Sequence, residues 1–219
     1  MEKKAIIFDL DGTLVNTIED LADCVNHVLK KHGYPTHEIS KFKAFIGSGA
    51  KNMVAAALPE MIRKQNELLE PVLEEYKSYY ALHYKDKSKP YQGIQEMLEA
   101  FSEKNIPLAV CSNKQQSATG IMIREMFPED TFCCIYGERK GVQRKPDPAG
   151  PLEIAEKMQI QPENIIFAGD SDADILTAVN AGMIPVGVAW GFREVSELLE
   201  NGAVFIAYEP RDLVDFFFS

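Results

Sequence analysis

The amino-acid sequence predicts an α/β fold, a Rossmann-like doubly wound parallel sheet core with a helical cap inserted after the first strand. Two patterns support this prediction. After about residue 90, short continuous apolar runs alternate with helical patterns, and runs without polar alternation are typical of strands buried on both faces of a parallel sheet. Between the first apolar run and that region, only helical periodicity is present.

The core strands are predicted from four apolar runs, which are 5–8, 107–111, 164–168 and 184–189. Helices are predicted between them, because apolar side chains recur there every three or four residues. One helical face is marked by Ile94, Met97, Leu98 and Phe101, and another by Ile175, Ala178 and Val179. This order of elements indicates parallel strands that are joined by helices.

The helical insertion, the predicted cap, is expected to cover residues 15–88, and the α/β core to consist of residues 1–14 and 89–219. The stretch assigned to the cap contains a strong amphipathic stripe that begins at Ile18, and no strand pattern stands out in it. A chain of 219 residues is long enough for one sizeable α/β domain with such an insertion.

The charge balance limits the classes of partner. The chain has 23 Lys and Arg against 33 Asp and Glu, a net charge of −10, and an acidic surface repels nucleic acid and anionic membranes. It would also repel an anionic substrate, so a phosphate site needs a metal ion or a lysine. The four cysteines lack metal-type CxxC spacing, and no apolar run approaches membrane-spanning length. We therefore expect a cytoplasmic monomer or homodimer that binds neither nucleic acid nor membrane.

Two acidic residues follow the first predicted strand. Asp9 and Asp11 stand in the motif FDLDGTLVNT, at the carboxyl end of a buried strand, where open α/β sheets bind their ligands. Two carboxylates at this place are unfavourable unless a cation or a proton compensates them. Gly12 permits a tight turn, and with Thr13 it is a candidate for substrate binding. Taken alone, the motif also fits an ordinary strand-ending turn.

Two more segments offer groups that bind phosphate. Ser112 and Asn113 follow the predicted strand 107–111, where a hydroxyl, an amide and the N–H groups of the next turn can bind phosphate oxygens, although a plain helix N-cap has the same residues. Lys145 stands in RKPDP, whose prolines restrict the backbone, and can supply a positive charge for a phosphate. A solvated loop lysine is the alternative. The role of Lys114 is left open.

A second acidic motif, GDSDAD, follows a later strand. Asp170 ends that strand, and Asp174 comes four residues later, about one helical turn, so the two can face the same point. Asp172 between them fits a charge at a helix N-terminus. Together with Asp9 and Asp11 they place four acids at two strand ends, and Mg²⁺ suits a site with few carboxylates, waters and a phosphate.

These motifs resemble those of the haloacid dehalogenase-like hydrolase superfamily, in the expected order and over nearly the whole chain. FDLDGT is similar to its first motif, Ser112 to its second, Lys145 to its third and GDSDAD to its acidic fourth. The resemblance implies a Rossmann-like core with a cap in the position of the helical insert. It also implies that Ser112 and Lys145 hold the transferring phosphoryl group.

The same resemblance implies the remaining roles. Asp9 would be the nucleophile that forms an aspartyl-phosphate, and Asp11 the general acid and base. The implied ligands of Mg²⁺ are Asp9, the backbone carbonyl of Asp11, Asp170 and Asp174, the last directly or through water. The expected partner is therefore a small phosphorylated metabolite.

Within the superfamily, FKAFIGSGAKNMVAAAL, RKPDPAGPLEIAEKM and VAWGF are similar to segments of phosphoglycolate phosphatases. This resemblance implies 2-phosphoglycolate as the substrate. The turn Gly47-Ser48-Gly49 could bring backbone N–H groups to the substrate carboxylate, or it could be only a helix-linking turn.

Other functions share parts of this pattern. A sugar-phosphate phosphatase or a β-phosphoglucomutase-like phosphotransferase would use the same chemistry. A dehalogenase is disfavoured by Asp11, because relatives with that activity usually lack the second acid. A phosphonate hydrolase would need a cap lysine, and the surroundings of Lys51 do not resemble that subgroup. A phospho-acceptor or ligand-binding module is the non-enzymatic alternative, but a receiver domain is much shorter and does not need a cap.

Overall fold

The computed structural model describes residues 2–219, and the chain divides into two compact units. The first comprises the residues up to Asn16 together with Pro90–Ser219, and the second is Thr17–Lys89. The candidate site residues lie in the first unit, apart from the Gly47-Ser48-Gly49 turn, which lies in the second.

Parallel strands form the centre of the first unit. The strands in the described part of the chain are Ala5–Phe8 (β1), Val15–Asn16 (β2), Lys89–Pro90 (β3), Leu108–Gln115 (β4), Cys134–Glu138 (β5), Ile165–Gly169 (β6), Ile184–Val188 (β7) and Phe205–Ala207 (β8). Six of them form one sheet in the order β5-β4-β1-β6-β7-β8, and its neighbouring strands run parallel. The short β2 and β3 pair in a separate sheet. With helices beside the sheet, this architecture confirms the predicted Rossmann-like α/β class.

The second unit contains helices and connecting turns. Its helices are Ile18–Lys31 (α1), Ile39–Phe45 (α2), Ala50–Ala57 (α3), Glu60–Arg63 (α4) and Asn66–His83 (α5). A buried carboxylate stabilises it: Asp20 of α1 accepts hydrogen bonds from the backbone N–H groups of Lys87 and Ser88 and from the Ser88 hydroxyl. Asp20 therefore ties the start of this unit to its end.

Six helices accompany the sheet in the described part of the first unit. They are Ile94–Ser102 (α6), Gln116–Met126 (α7), Ala149–Met158 (α8), Asp172–Ala181 (α9), Val195–Glu200 (α10) and Pro210–Phe218 (α11), with a 3₁₀ turn at Pro162–Asn164. The core packs Ile7 of β1 and Phe167 of β6 with Ile154 of α8 and Ala178 of α9. These strand residues are fully buried, as the continuous apolar runs predict.

The structure differs from the predicted elements at several places. The strand predicted at 107–111 extends to Gln115 as β4, with a register shift against β5 between Cys111 and Gln115, so Ser112 and Asn113 lie inside the strand. The predicted strands do not include β5 and β8, which lie at the two edges of the sheet and are only partly buried.

One predicted helical face was partly wrong. In α9, Val179 is 49% exposed, whereas Ile175 and Ala178 are buried. The buried face of this helix is centred on Asp174, Ala178 and Ala181, which places Val179 at its margin. Among residues 2–219, none of the helices combines the length and the apolar character needed to cross a membrane.

Candidate active site

Two buried aspartates stand side by side at the carboxyl ends of neighbouring strands. Asp9 follows β1 and Asp170 follows β6, and these strands run parallel in a register that pairs Phe8 with Ala168. Asp174 joins them from the first turn of α9. Carboxylate oxygens of the three aspartates lie within 4.8 Å of one another, and all three residues are buried. The sheet topology thus brings three predicted metal ligands to one point.

Lys145 supplies a positive charge to this cluster. Its Nζ lies 2.6 Å from Asp174 Oδ1 and 2.8 Å from Asp9 Oδ1, and its side chain is only 4% exposed. The contact with Asp174 is a hydrogen bond, whereas the contact with Asp9 has the distance of an ion pair but leaves Asp9 Oδ1 without a hydrogen-bond partner.

Asn113 fixes the backbone of that lysine. The Lys145 N–H donates to Asn113 Oδ1 at 2.9 Å, and Asn113 Nδ2 donates to the Lys145 carbonyl oxygen at 3.2 Å. Both ends of the side-chain amide are therefore engaged with Lys145. The structure gives Asn113 a positioning contact, while its predicted contact with substrate stays a prediction.

Asp170 is held from two loops. Thr13 Oγ1 donates to its Oδ1 at 3.2 Å, and the N–H of Phe192 donates to its Oδ2 at 2.8 Å. Two glycines approach it closely: a Cβ on Gly12 would lie 2.3 Å from Asp170 Oδ2, and one on Gly191 would lie 2.2 Å from Asp170 Cβ. Gly12 also has φ +91°, which disfavours any other residue. Gly12 and Thr13 thus support Asp170 from the turn after β1.

Asp174 has a structural task besides its contact with Lys145. Its Oδ2 accepts hydrogen bonds from the N–H of Ser171 at 3.0 Å and from Ser171 Oγ at 2.6 Å. The bond from the Ser171 N–H is one half of a capping box at the start of α9, and the other half runs from the Asp174 N–H to the Ser171 side chain. A negative charge at this place is also favoured by the helix dipole. Asp172, the first residue of α9, occupies the helix N-terminus as the sequence predicts.

Burial of these charges shifts their protonation. Burial raises the pKa of Asp9 from its ordinary 3.8 to about 6, although Lys145 opposes the shift. Burial also raises the pKa of Asp170 well above its ordinary value, and the neighbouring Asp174 and Asp9 add to the increase. For Lys145, burial would lower the pKa, but Asp174 and Asp9 outweigh it and raise the pKa. The cluster therefore holds more negative charge than Lys145 compensates.

A divalent cation fits this group of residues. Three buried carboxylates lie together, and Lys145 contacts two of them, Asp9 and Asp174. Carboxylate oxygens are the donors that Mg²⁺ prefers, and a second positive charge would compensate the remaining negative charge. Asp9, Asp170 and Asp174 are therefore the side chains that could hold it.

Asp11 forms a close ion pair beside this cluster. Lys114 Nζ lies 2.9 Å from Asp11 Oδ1 and 3.0 Å from Oδ2, and the two side chains are 7% and 13% exposed, respectively. Ser112 Oγ accepts a hydrogen bond from the Lys114 N–H at 3.3 Å. Sequence analysis gave Lys114 no role, and its position directly after the Ser112-Asn113 pair is the only signal that could have indicated one.

The loop after β7 contributes two groups that sequence analysis missed. Trp190 Nε1 donates to the Thr13 carbonyl oxygen at 2.9 Å, and the N–H of Phe192 binds Asp170. The segment VAWGF is similar to a segment of phosphoglycolate phosphatases, but spacing along the chain does not show that an indole and a backbone amide reach the turn after β1 and Asp170.

The turn Gly47-Ser48-Gly49 lies between α2 and α3 of the second unit. Gly47 and Gly49 have φ of +117° and +85°, and Asn52 Nδ2 donates to the Ser48 carbonyl oxygen at 3.0 Å. Both glycines are thus in conformations that other residues rarely adopt. The predicted role of the turn in binding a substrate carboxylate stays a prediction.

Comparison with known proteins identifies similar chains over nearly the whole length. The model of the haloacid dehalogenase-like hydrolase family matches residues 6–188. A phosphoglycolate phosphatase of Agrobacterium fabrum is 34% identical over 191 residues, which cover 86% of this chain and 82% of that protein. Phosphoglycolate phosphatase 1 of Pseudomonas aeruginosa is 29% identical over 218 residues, or 96% of this chain and 78% of that one.

Solved structures show the same fold. A candidate phosphoglycolate phosphatase from Lactobacillus delbrueckii superimposes with a TM-score of 0.93 at 31% identity, covering 99% of both chains. These similarities confirm that the chain resembles haloacid dehalogenase-like hydrolases, as its motifs indicate. The similarity covers both units of the chain.

Proposed function

Since this chain belongs to the haloacid dehalogenase-like hydrolase family and is a phosphatase, we propose that it hydrolyses a small phosphomonoester through an aspartyl-phosphate on Asp9. The strongest support is the position of Asp9, a buried carboxylate that directly follows β1 and whose Oδ1 lies 2.8 Å from Lys145 Nζ. Phosphate-monoester hydrolysis is among the slowest uncatalysed reactions, and a carboxylate nucleophile divides it into two easier steps.

In the first step, a carboxylate oxygen of Asp9 attacks phosphorus. The bond from phosphorus to the ester oxygen breaks, and the Asp11 carboxyl donates its proton to that oxygen, so the alcohol leaves neutral. Lys145 Nζ and Ser112 Oγ bind oxygens of the transferring phosphoryl group. The products of this step are the alcohol, the phosphorylated Asp9 and the Asp11 carboxylate.

In the second step, a water molecule attacks the phosphorus of the acyl phosphate. The Asp11 carboxylate accepts a proton from the water, and the bond between phosphorus and Asp9 breaks. Inorganic phosphate, the Asp9 carboxylate and the protonated Asp11 result. One residue therefore serves as acid and then as base, and the enzyme returns to its initial state.

We propose that Asp9, Asp170 and the backbone carbonyl of Asp11 hold Mg²⁺. Bound Mg²⁺ supplies positive charge to the phosphoryl oxygens. Asp174 uses both of its oxygens in hydrogen bonds to Lys145 and Ser171, which favours a role in positioning the site or in binding through water.

We propose 2-phosphoglycolate as the substrate. Its support is the naming of several relatives as phosphoglycolate phosphatases, together with the glycine-rich turn Gly47-Ser48-Gly49 as a donor of backbone N–H groups to the carboxylate. We also propose a cytoplasmic location for a monomer or homodimer. No disulfide joins the four cysteines, all of which lie in the described part of the chain, as is usual in that compartment.

The test is phosphate release from a panel of esters with and without Mg²⁺. The panel contains 2-phosphoglycolate, hexose phosphates, nucleotides and pyrophosphate, and Asp9→Asn is the blank. We expect metal-dependent release with a preference for 2-phosphoglycolate, and none above background from the variant.

Each result has a distinct meaning. Preference for hexose phosphates would retain the mechanism and replace the substrate. Transfer of phosphate between positions of a sugar phosphate, without release, would identify the phosphotransferase alternative. Equal release by wild type and Asp9→Asn would contradict the nucleophile.

A further inference from the structure

We propose that Lys114 is the positioning residue for the general acid and base, because it holds the Asp11 carboxylate by both oxygens. This inference rests on the proposed function, in which Asp11 transfers a proton in each of the two steps. A carboxylate that serves twice must present the same oxygen at the same place. The ion pair at 2.9 Å and 3.0 Å supplies that constraint.

The fold fixes the backbone of Lys114. It lies in the irregular part of β4, where the register against β5 shifts between Cys111 and Gln115. The Lys114 N–H donates to Ser112 Oγ at 3.3 Å, and Thr119 Oγ1 donates to the Lys114 carbonyl oxygen at 3.2 Å. One of these contacts lies within β4, and the other comes from α7, where the Thr119 hydroxyl is shared with the Gln115 carbonyl oxygen at 3.1 Å.

The adjacent strand also accommodates this backbone. A Cβ on Gly137 of β5 would lie 2.6 Å from the Lys114 carbonyl oxygen, closer than real Cβ atoms approach. Glycine at this position therefore permits β5 to pass against the irregular segment. The location of Lys114 depends on close packing by two neighbouring elements.

Burial indicates that the contact is more than an incidental surface pair. Lysine is rarely buried without a partner, because its charge loses hydration. The Lys114 side chain is 7% exposed and that of Asp11 13%, so solvent screens their attraction little. Exposed pairs elsewhere in the chain, such as Lys64 with Glu60, lack this burial.

The two site lysines have different contacts. Lys145 lies between Asp9 and Asp174, in the position to bind the phosphoryl group, whereas Lys114 directs two contacts to Asp11. We therefore assign Lys145 to the reacting phosphate and Lys114 to the proton-transferring carboxylate. Because Lys114 acts through Asp11, its removal should lower kcat/KM, which reports the first step, only for esters whose leaving group needs a proton.

The test is Lys114→Met, which keeps an unbranched side chain only one atom shorter and removes the charge. Two esters are compared by kcat/KM: an alkyl phosphate, whose alkoxide needs a proton to leave, and 4-nitrophenyl phosphate, whose phenolate leaves without one. We expect kcat/KM for the alkyl ester to fall about 100-fold, the lower end of general acid catalysis, and that for the nitrophenyl ester to fall only a few-fold.

A double-mutant cycle with Asp11→Asn tests whether Lys114 acts through Asp11. In the Asp11→Asn background, we expect Lys114→Met to have no further effect on the alkyl ester. Lys104→Met, the same change at an exposed lysine, is the matched control and should leave both esters unchanged.

A second variant keeps the charge in case Lys114→Met does not fold. Thr119→Val removes the hydrogen bond to the Lys114 carbonyl oxygen, and we expect the same selective loss on the alkyl ester, several-fold in size. Equal losses on both esters, or a full additional loss in the Asp11→Asn background, would overturn the role of Lys114 while the proposed function stands. Wild-type protein that hydrolyses neither ester, or equal activity of Asp9→Asn, would overturn both.

Discussion

Lys145 is the residue on which the charge balance of the site depends. Its ammonium contacts Asp174 and Asp9 inside the protein, where charges without a partner are unfavourable. One positive charge cannot compensate three carboxylates, and the raised pKa values of Asp9 and Asp170 follow from this imbalance. The three carboxylates could therefore hold a cation, whose charge would compensate the imbalance.

The protonation of Asp9 predicts how stability depends on pH without metal. Its pKa is 3.8 when exposed and about 6 in the folded protein, so between these values the folded state binds more protons than the unfolded state. Stability from this group is therefore present below pH 4 and is lost as pH rises through about 6. Asparagine resembles the protonated form and does not titrate.

We accordingly expect the free energy of unfolding of Asp9→Asn, relative to that of wild type, to increase by up to about 3 kcal/mol as the pH rises from 4 to 7.5. Urea unfolding of both proteins in EDTA at the two pH values measures this difference. A difference that stays constant with pH would contradict the raised pKa.

Among the elements, the loop after β7 has more influence on the site than its length suggests. Trp190 binds the turn after β1 through the Thr13 carbonyl, and the Phe192 amide binds Asp170. Gly191 between them lies against the Asp170 side chain. The loop thus orients a predicted metal ligand without contributing a ligand itself.

We expect Gly191→Ala to weaken Mg²⁺ affinity at least 10-fold, because the new methyl group would occupy the place of the Asp170 carboxylate. Titration of phosphatase activity and of thermal stability with Mg²⁺ measures the change. Gly141→Ala is the control: a Cβ at Gly141 would meet no atom within 4 Å, although its φ of +86° adds local backbone strain. Retention of wild-type affinity in Gly191→Ala would show that Asp170 tolerates displacement.

At the scale of the whole molecule, binding of a cation to the folded state must stabilise the chain. At a Mg²⁺ concentration about ten times Kd, linkage gives about 1.4 kcal/mol, which for a protein of this size raises Tm by about 3–6 °C. We expect Asp170→Asn to abolish this rise and Asp172→Asn, the same change two residues away, to retain it. Thermal unfolding with and without Mg²⁺ measures it, and equal behaviour of the two variants would argue against Asp170 as a ligand.

The sequence predicted the elements that are buried on both sides and the acids that follow them. β1 and β6 could be recognised in the sequence because every residue in them is apolar. Asp9 and Asp170 could be recognised because each directly follows such a strand. The edge strand β5 was not predicted, and most of its residues are only partly buried. The elements found by their continuous apolar runs are therefore the ones that position the predicted nucleophile.

Contacts between distant segments could not be predicted in this way. The pairing of Lys114 with Asp11, and of Trp190 with Thr13, joins residues more than 100 positions apart, and neither follows a periodic pattern. Such contacts depend on the crossing of loops in space, which one sequence does not reveal. Asn113 illustrates the same limit: the hydrogen bonds between its amide and the Lys145 backbone do not follow from its residue type, while its predicted contact with substrate stays a prediction.

The central place of β1 in the sheet has a consequence for the synthesis of the protein. Its neighbours are β4 and β6, and the nearer of them in sequence begins roughly 100 residues later. At roughly 5–20 residues per second, a ribosome needs about 5–20 s to make the intervening chain. The strand that leads to Asp9 therefore leaves the ribosome early and waits for both partners, while the contiguous second unit is completed in between.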